Sequence, residues 1–313
     1  MTASVVAAAY GDPEVLTVIT EPVPAPGPGE VQVRLRAIGV NPFDVKSYSG
    51  AFGADPARLP IRPGIEASGV VTAVGADAVG PTGPVSVGDE VIVNPGARTY
   101  TECLTVPASV TLAKPPSLSF EQAAALLSSG TTAVDALTTA RVAAGDTVLL
   151  HGASGAVGAA TAQLALARGA TVIGTARATN HDHLRALGVT PVEYGDGLLD
   201  RVRALAPDGV DAAIDTAGTD EAIDASLALV GDRGRIVTIV AFERAGRDGF
   251  RAIGGGDPDS ARIRREARAE LVELAGRGSL EVTIAATFPL ADAARAHREL
   301  TGRHPRGKFV LLP

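Results

Sequence analysis

The feature that most constrains the fold is a glycine-rich turn between an apolar segment and a helical segment. Residues 147–170 read TVLLHGASGAVGAATAQLALARGA, and Gly152, Gly155 and Gly158 end a predicted strand and open a predicted helix. The apolar segment TVIGTA follows at 171–176, so the local order is strand, turn, helix, strand. Such a unit forms two parallel strands joined by a helix, and its turn typically receives dinucleotide phosphates at the positive end of the helix.

Each of the three glycines has a physical role at such a turn. Gly152 permits the tight turn, Gly155 lets the backbone approach a pyrophosphate, and Gly158 allows the helix to pack closely on the strand. The alternative is a tight strand-to-helix turn that binds no ligand. The predicted cofactor-binding loop consists of Gly152, Ala153, Ser154, Gly155, Ala156, Val157 and Gly158.

The end of the second strand indicates which dinucleotide is bound. An NAD site typically has an Asp or Glu about 20 residues after the first glycines, bonded to the ribose 2′-hydroxyl. Here the strand ends in Thr175, Ala176 and Arg177, and no acidic residue occurs between Gly174 and His181. Because a guanidinium pairs with a 2′-phosphate that a carboxylate would repel, the sequence predicts NADPH rather than NADH. The alternative is that Arg177 is a surface charge in solvent.

The first third of the chain has a different texture, with short β-type segments separated by glycine and proline turns. It predicts a compact β-barrel or sandwich that ends at Pro115 and Pro116. Its strands are predicted at 31–40, 64–75, 88–95 and 101–113.

From residue 119 onward, apolar strands alternate with helices, which predicts a parallel sheet covered on both faces. Ser119 and Gln122 form a capping-box pattern at the start of a helix, and we expect Gly130 to end that helix. The stretch 241–260 is predicted to be a loop, either a flexible lid or a plain connector, followed by a helix at 261–276. Further strands are predicted at 147–152, 171–176, 210–217 and 234–240, with two more in the tail.

Composition excludes several classes of function. The 313 residues include 28 Lys and Arg against 35 Asp and Glu, and this net charge of −7 is spread along the chain and offers no footprint for nucleic acid. The single cysteine, Cys103, forms no intrachain disulfide and fits a reducing compartment. No segment approaches the ~18 uninterrupted apolar residues of a membrane span, and the N-terminus is a poor signal peptide. We therefore expect a cytoplasmic protein without nucleic-acid or membrane partners.

Several segments together resemble the zinc-free quinone reductases of the medium-chain dehydrogenase/reductase superfamily, the group that contains zeta-crystallin. These segments run nearly from end to end and include VNPFDVKSYSG, PGIEASGVVTAVG, AALLSSGTTAVDAL, HGASGAVGAATAQLA, TARATNHDHLRALG and AHRELTGRHPRGKFVLL. The resemblance implies an α/β protein with a GroES-like β-barrel catalytic domain at 1–118 and 277–313. A Rossmann domain with a doubly wound parallel sheet is then inserted at 119–276. It also implies a homodimer that reduces small quinones or α,β-unsaturated carbonyls with NADPH, the acceptor lying between the domains.

The resemblance also locates a zinc site that this chain lacks. Zinc-dependent alcohol dehydrogenases of the superfamily place a Cys and an Asp at a strand end and a His in a Gly-His-Glu stretch. Here Asn41 stands in the Cys place, Asp44 is kept, and Ile65 stands in the His place. Ile cannot ligate a metal, and Asn is a poor ligand for first-row metals. Because one cysteine and five scattered histidines, His297 and His304 among them, offer no ligand cluster, we expect no metal site.

Without zinc, the oxygen of a reduced acceptor needs hydrogen-bond donors instead. Lys46, Tyr48 or solvent supplies the proton, and the choice stays open, because residues two apart share a side on an extended segment but not on a helix. The structural alternatives are that Asn41 only caps a turn and that Asp44 only orients a neighbour. The predicted catalytic residues are Asn41, Asp44, Lys46 and Tyr48.

The resemblance places further cofactor contacts outside the glycine turn. Residues 129–132 resemble a turn beside the cofactor, and Tyr194 ends the third strand near the adenosine phosphate. Lys308 in the tail has the alternative of a surface charge in solvent. The predicted contacts are Thr132, Thr175, Ala176, Arg177, Tyr194, Asp215, Thr216, Val240, Ala241, Phe242 and Lys308.

Two rival functions remain open from the sequence. An enoyl-thioester reductase, acting on an acyl-CoA or a carrier protein, needs a basic entrance for the phosphopantetheine arm. Arg244, Arg247, Arg251 and the arginines of 262–268 are its candidates, although charged helix faces are usually just solvated. The other rival is a non-catalytic NADPH-binding protein, which no feature of the sequence favours.

Overall fold

The computed structural model describes residues 1–254, 256–302 and 305–313, which form two compact units. The first unit contains residues 1–128 and 269–313, and the second contains residues 129–268. Gly255 of the 241–260 stretch and His304, both considered above, lie outside the described residues.

Among the described residues, the first unit contains a seven-stranded sheet and two separate two-stranded sheets, β1 with β2 and β5 with β6. Its strands are β1 Thr2–Ala7, β2 Leu16–Glu21, β3 Glu30–Gly39, β4 Ala67–Val74, β5 Val79–Gly80, β6 Gly83–Pro84, β7 Glu90–Val93, β8 Cys103–Pro107, β9 Thr111–Ala113, β16 Ile284–Pro289 and β17 Lys308–Leu312. Its helices are α1 Pro42–Tyr48, α2 Phe120–Ala124 and α10 Ala293–Thr301. The seven-stranded sheet has the order β16, β17, β3, β4, β7, β9, with β8 also paired to β3. The tail strands therefore join the sheet formed by the first third of the chain.

Strand β3 explains why polar residues come to lie inside this unit. Its first half alternates, with Val31 and Val33 buried and Arg34 exposed, as expected for a strand with one face in solvent. Its last three residues are all buried. Asn41 and α1 follow directly, and the fold places the side chains of Asn41, Asp44 and Tyr48 in its interior.

The second unit is a parallel sheet with helices between its strands. Its strands are β10 Thr147–His151, β11 Thr171–Thr175, β12 Thr190–Val192, β13 Ala212–Asp215, β14 Ile236–Thr238 and β15 Arg251–Ala252. Its helices are α4 Ala156–Ala167, α5 His181–Ala186, α6 Leu198–Leu205, α7 Asp220–Leu229 and α8 Phe242–Asp248. The order is β12, β11, β10, β13, β14, β15, with every pairing parallel. This doubly wound order reverses between β10 and β13, so the predicted fold class is confirmed and the glycine turn lies at the switch point.

The predicted domain boundaries at 118/119 and 276/277 differ from the division between the units. The divisions fall inside α3 (Leu127–Thr139) and α9 (Pro258–Gly276). The reason is packing, because Ala124 and Ala125 lie in one buried cluster with Ala37 and Val310 of the sheet. The capping box at Ser119 is confirmed, but the helix that it starts belongs to the first unit.

Two predictions of local structure were wrong. Gly130 does not end a helix, since α3 runs through it, and 129–132 is helical rather than a turn. A glycine inside a helix costs only about 1 kcal/mol, which burial of Ala133, Ala136 and Leu137 on the same helix offsets. The stretch 241–260 is not a plain loop either, because it contains α8 and β15, with Phe250 and Ile253 buried.

Within the described residues, no helix combines the length and the apolar character that crossing a membrane requires.

Candidate active site

The glycine turn has the geometry that its three glycines predict. Gly152 has a φ of +73°, a left-handed conformation that favours glycine. A Cβ at Gly158 would lie 2.2 Å from the Gly152 carbonyl oxygen, so the close contact between α4 and the turn requires a glycine. Gly155 is exposed, and a Cβ there would meet nothing closer than 3.4 Å. The N–H groups in the first turn of α4, at Ala156 and Val157, have no intrahelical acceptor.

Hydroxyl groups from neighbouring loops hold this turn in place. The Thr175 hydroxyl accepts the Gly152 N–H at 3.1 Å, and the Thr216 hydroxyl donates to the His151 carbonyl at 2.7 Å. Asn180 Nδ2 donates to the Ser154 hydroxyl at 3.1 Å. Thr175 and Thr216, predicted as cofactor contacts, thus have side chains that support the loop.

Asp215, another predicted contact, connects two loops at the carboxyl ends of the strands. Its side chain is fully buried, and Oδ1 accepts the N–H groups of Ala217 and Gly218, each at 2.9 Å. Its Oδ2 accepts the Thr238 hydroxyl at 2.7 Å. The Thr238 oxygen in turn accepts the N–H groups of Val240 at 3.1 Å and Ala241 at 2.9 Å. The pair Asp215–Thr238 therefore fixes both loops, and sequence reasoning missed Thr238.

The surface beside these loops, which we call the carboxyl edge, is partly apolar. Tyr194, Val240 and Phe242 are 50%, 37% and 51% exposed. Arg177 is half-buried, and within the described part of the chain no side-chain partner is recorded for it. The strand before Tyr194 ends at Val192, two residues earlier than predicted. Two further predicted contacts, Ala153 and Ala176, are buried backbone positions.

Thr132 lies on α3, where Arg264 engages it. The Arg264 guanidinium donates to the Thr132 hydroxyl at 3.1 Å and to the fully buried carboxylate of Asp135 at 2.8 Å. The sequence indicated neither Asp135 nor Arg264 as a partner of Thr132, since they lie on different helices.

The first unit contains a second candidate site, a buried ion pair at the end of β3. The Lys308 ammonium bonds to Glu66 Oε1 at 2.9 Å and to Asn41 Oδ1, and all three residues are less than a tenth exposed. Asn41 Nδ2 donates to the same Glu66 oxygen at 3.1 Å, and Glu66 Oε2 accepts the Ser128 N–H at 2.8 Å. The interpretation of Lys308 as a surface charge was therefore wrong, and the Asn41 amide is occupied within this strand-end cluster.

A glycine makes this close approach possible. A Cβ at Gly39 would lie 2.6 Å from Glu66 Oε1 and 2.4 Å from the Ala124 carbonyl oxygen. Glu66 was visible in the sequence as an acid inside the apolar segment GIEASGVV. A buried carboxylate requires a cation or several donors, and that signal would have identified it as a site residue.

Asp44 lies on α1 next to this cluster and is also buried. It accepts the N–H groups of Asn41 at 2.8 Å and Gly64 at 3.1 Å, and the Tyr100 hydroxyl at 3.3 Å. Burial raises the pKa of the Asp44 carboxyl to about 7, opposed by the Asn41 N–H bond and the charge of Lys308. The interpretation of Asp44 as a residue that orients its neighbours agrees with these contacts.

Lys46 and Tyr48 point in different directions, because 42–48 is helical. Tyr48 is fully buried, and its hydroxyl lies 2.6 Å from His297 Nδ1. Lys46 is half-buried, and the described residues show no hydrogen bond or ion pair for its amine. It is three residues beyond Phe43, which is 50% exposed and contacts Phe52 with ring centroids 5.6 Å apart. Of the two candidate proton donors, the geometry favours Lys46.

The described residues include no group of three or more His, Cys, Asp or Glu that could hold a metal ion. His181 and His183 lie two apart on α5, so they do not share a face of that helix.

Four of the seven arginines that suggested a basic entrance are engaged by carboxylates. Arg244 pairs with Asp220, Asp224 and Asp248, and Arg247 pairs with Asp248. Ion pairs also engage Arg262 with Asp259 and Glu266, and Arg264 with Asp135.

Comparisons with known proteins match both units. The model of the alcohol dehydrogenase GroES-like domain matches residues 27–133, and that of a zinc-binding dehydrogenase family matches 187–311. The quinone oxidoreductase of Pseudomonas aeruginosa is 33% identical over 326 residues, covering 98% of each chain. The synaptic vesicle membrane protein VAT-1 homolog of Mus musculus is 30% identical over 312 residues, covering 90% of this chain and 75% of that protein.

Solved structures match over the whole chain. Escherichia coli quinone oxidoreductase in complex with NADPH is 28% identical, with a TM-score of 0.85 and 100% of both chains covered. An NAD-dependent alcohol dehydrogenase is 29% identical, with a TM-score of 0.85 and 99% of both chains covered. One of these neighbours is a complex with NADPH, and the other is named as an NAD-dependent enzyme.

The buried ion pair predicts a large cost for losing one partner. Lys308→Met leaves the Glu66 carboxylate buried without its cation, and we expect the free energy of unfolding in urea to fall by roughly 3–5 kcal/mol. Adding Glu66→Gln should recover part of that loss. The exposed pair of Arg277 with Glu273 is the control, and Arg277→Ala should cost less than about 1 kcal/mol. A double variant no more stable than Lys308→Met would contradict this account.

The Asp44 carboxyl predicts a specific dependence of stability on pH. Its pKa of about 7 in the folded chain exceeds the ordinary 3.8, so its stabilising contribution is complete below about pH 4 and is lost as pH rises through 7. The unfolding free energy of the wild type, measured relative to Asp44→Asn, should therefore decrease from about pH 4 to about pH 7 and then level off. Urea unfolding curves across this range test it, and a constant difference would refute it.

Proposed function

Because the chain belongs to the quinone oxidoreductase-like family of the medium-chain dehydrogenase/reductase superfamily, we propose that it reduces quinones or α,β-unsaturated carbonyls with NADPH and without zinc. The family resemblance seen in the sequence is thereby confirmed, and oxidoreductase activity follows from it. The observation that carries the NADPH assignment is the glycine turn at the switch point, with Arg177 and no carboxylate on the next strand end.

The residues of the carboxyl edge fit a dinucleotide. A Cβ at Gly155 would meet nothing closer than 3.4 Å, and the N–H groups of Ala156 and Val157, which have no intrahelical acceptor, suit phosphate oxygens. Arg177 offers a guanidinium to a 2′-phosphate, while Tyr194 and Phe242 offer apolar surface to rings. NADPH, when bound, supplies the hydride, and these side chains serve to bind and orient it.

Zinc independence is supported by the chemistry of the strand-end cluster. Asn41 Oδ1 and Glu66 Oε1, the oxygens next to the place that metal-dependent relatives use, are bonded to the Lys308 ammonium. A cation provided by the chain itself thus neutralises Glu66. Lys46, on the neighbouring helix and without a recorded partner in the described chain, is the best placed proton donor for an enolate.

The thioester alternative loses part of its support. Arg244, Arg247 and Arg264 are held by carboxylates, so they offer little free charge to a phosphopantetheine arm. No specific contact favours the non-catalytic alternative.

Stopped-flow oxidation of NADPH tests the function directly. We expect rapid oxidation with small quinones and 2-alkenals, slow oxidation with crotonyl-CoA, and the same rates after treatment with a chelator. Loss of activity on chelation would contradict zinc independence, and a preference for crotonyl-CoA would replace the proposal by the thioester alternative. NADPH that binds but is oxidised by no acceptor would support the non-catalytic alternative.

Replacing Lys46 should separate the two kinds of acceptor. A general acid contributes typically 10²–10⁴-fold, so Lys46→Met should lower kcat for 2-alkenals by about 10²-fold or more. Quinone reduction should change only a few-fold, because a hydroquinone dianion takes protons readily from water. Ser49→Ala, an exposed position just after the same helix, is the control. Equal losses for both acceptors would argue against a proton-donor role.

Arg177→Ala should change the preference between nucleotides. Loss of a charge-assisted hydrogen bond costs about 1.5–3 kcal/mol, so the Kd for NADPH should rise roughly 10- to 100-fold while that for NADH stays constant. Arg185→Ala, an exposed arginine on the adjacent helix α5 paired with Asp182, is the control. Titration of both nucleotides by fluorescence measures the effect, and parallel losses for both would contradict it.

Thr238 should affect nucleotide binding although it lies beneath the edge. Thr238→Val keeps the side-chain shape but leaves Asp215 Oδ2 and two N–H groups unpaired, so we expect the Kd for NADPH to rise about tenfold. Thr238→Ser retains the hydroxyl and should bind as the wild type does. Similar Kd values for the Val and Ser variants would show that the hydroxyl is unimportant.

A further inference from the structure

Four buried side chains of the first unit form a chain of hydrogen bonds that the proposed chemistry does not use. Tyr48 at the end of α1 contacts Nδ1 of His297 on α10 at 2.6 Å. Nε2 of His297 contacts the Tyr100 hydroxyl at 2.7 Å, and Tyr100 contacts Asp44 Oδ2 at 3.3 Å. All four residues are at most 1% exposed. The Tyr48 and His297 rings are also stacked, 5.7 Å apart.

The carboxylate at one end sets the direction of every bond in the chain. Ionised Asp44 only accepts, so Tyr100 donates to it, and the Tyr100 oxygen accepts from His297 Nε2–H. Neutral His297 then has a bare Nδ1, to which Tyr48 donates. Burial lowers the pKa of His297 to about 4, which agrees with a neutral ring. A protonated His297 ring would present two N–H donors, and the Tyr48 hydroxyl would then have no acceptor among these four side chains.

The chain ends on the carboxylate that joins two parts of the strand-end cluster. Asp44 accepts the N–H of Asn41, which follows β3, and that of Gly64, which precedes Glu66. Asn41 and Glu66 both bond to the Lys308 ammonium. The orientation of Asp44 therefore controls how the segment that carries Asn41 and Lys46 packs against the segment that carries Gly64 and Glu66.

We propose that neutral His297 is a positioning residue, which through Tyr100 holds the Asp44 carboxylate in the orientation that joins Asn41 to Gly64. The functional part of this inference rests on the proposed reduction of quinones, because it requires that the Asn41–Lys46 segment serves the acceptor. The tautomer of His297 and the direction of the hydrogen bonds among the four side chains do not depend on that function.

The charges around the chain are few. Asp44 faces the charges of Lys308 and Glu66, and Tyr48 faces those of Asp44, Glu14 and Asp12. Burial raises the pKa of both tyrosine hydroxyls, so they remain protonated donors. Among the four hydrogen-bonded side chains, Asp44 is thus the one that titrates near neutral pH. Its ionised form is the form that the Tyr100 hydroxyl stabilises.

The first test is ¹⁵N NMR of the full-length protein at about pH 8, where an Asp44 carboxyl with a pKa of about 7 is mostly ionised. We expect the His297 ring to be neutral, with Nε2 protonated and Nδ1 bare. Its signals are identified by their loss in His297→Gln or, if that variant does not fold, as those that move in both Tyr48→Phe and Tyr100→Phe. An Nδ1–H tautomer or an imidazolium at that pH would overturn the proposal.

The second test compares the two tyrosines as a matched pair. Tyr48→Phe and Tyr100→Phe each remove one buried hydroxyl from the same histidine, so both should lower Tm by a similar few degrees. Only Tyr100 contacts Asp44, so only Tyr100→Phe should move the acid limb of kcat/KM for quinone reduction, by about one pH unit upward. A purely structural role predicts the same pH profile in both variants, and that result would overturn the positioning role.

The outcomes separate this inference from the proposed function. If no quinone or enone is reduced at any pH, the proposed function fails. The His297 tautomer seen by NMR still confirms or refutes the direction of the hydrogen bonds. Alternatively, the wild type reduces quinones with the same acid limb of kcat/KM as Tyr100→Phe. In that case the positioning role fails and the proposed function stands.

Discussion

The buried ion pair between Lys308 and Glu66 is the interaction on which the first unit depends most. It joins the last strand of the chain to the segment just before β4, and Asn41 links both to the end of β3. A carboxylate and an ammonium are stable inside a protein only when each finds several partners. Glu66 obtains them from an ammonium, an amide and a backbone N–H. This requirement explains Gly39, since a side chain there would collide with the Glu66 carboxylate.

The second unit uses the same principle with a different donor set. Asp215 is fully buried without a cation, and one hydroxyl and two backbone N–H groups satisfy its oxygens. These donors come from loops after two neighbouring parallel strands, so the carboxylate shapes the surface without reaching it. In both units a buried acid organises the loops, while Lys46 and Arg177 lie closer to the surface and are half-buried.

The parts of the fold that were predictable have local causes. The glycine turn was predictable because its φ value and its contact with α4 involve residues within one turn of helix. The failures at Gly130 and at 241–260 have a common physical reason. In isolation, a glycine and a polar, arginine-rich segment each predict the end of a helix. Burial along α3 stabilises a helix through Gly130, and the ion pairs of Arg244 stabilise α8. Such contacts join residues far apart in sequence, and local patterns contain no record of them.

The sequence by itself determined the fold class and the geometry of the glycine turn, since these depend on residue type and short spacing. Only the tertiary structure decided what the polar residues after β3 do. Helix α1 turns Tyr48 inward to His297 and leaves Lys46 half-exposed, and the return of the chain brings Lys308 to Asn41. Hydrogen bonds and ion pairs act over about 3 Å, so their partners become known only when distant segments are placed side by side.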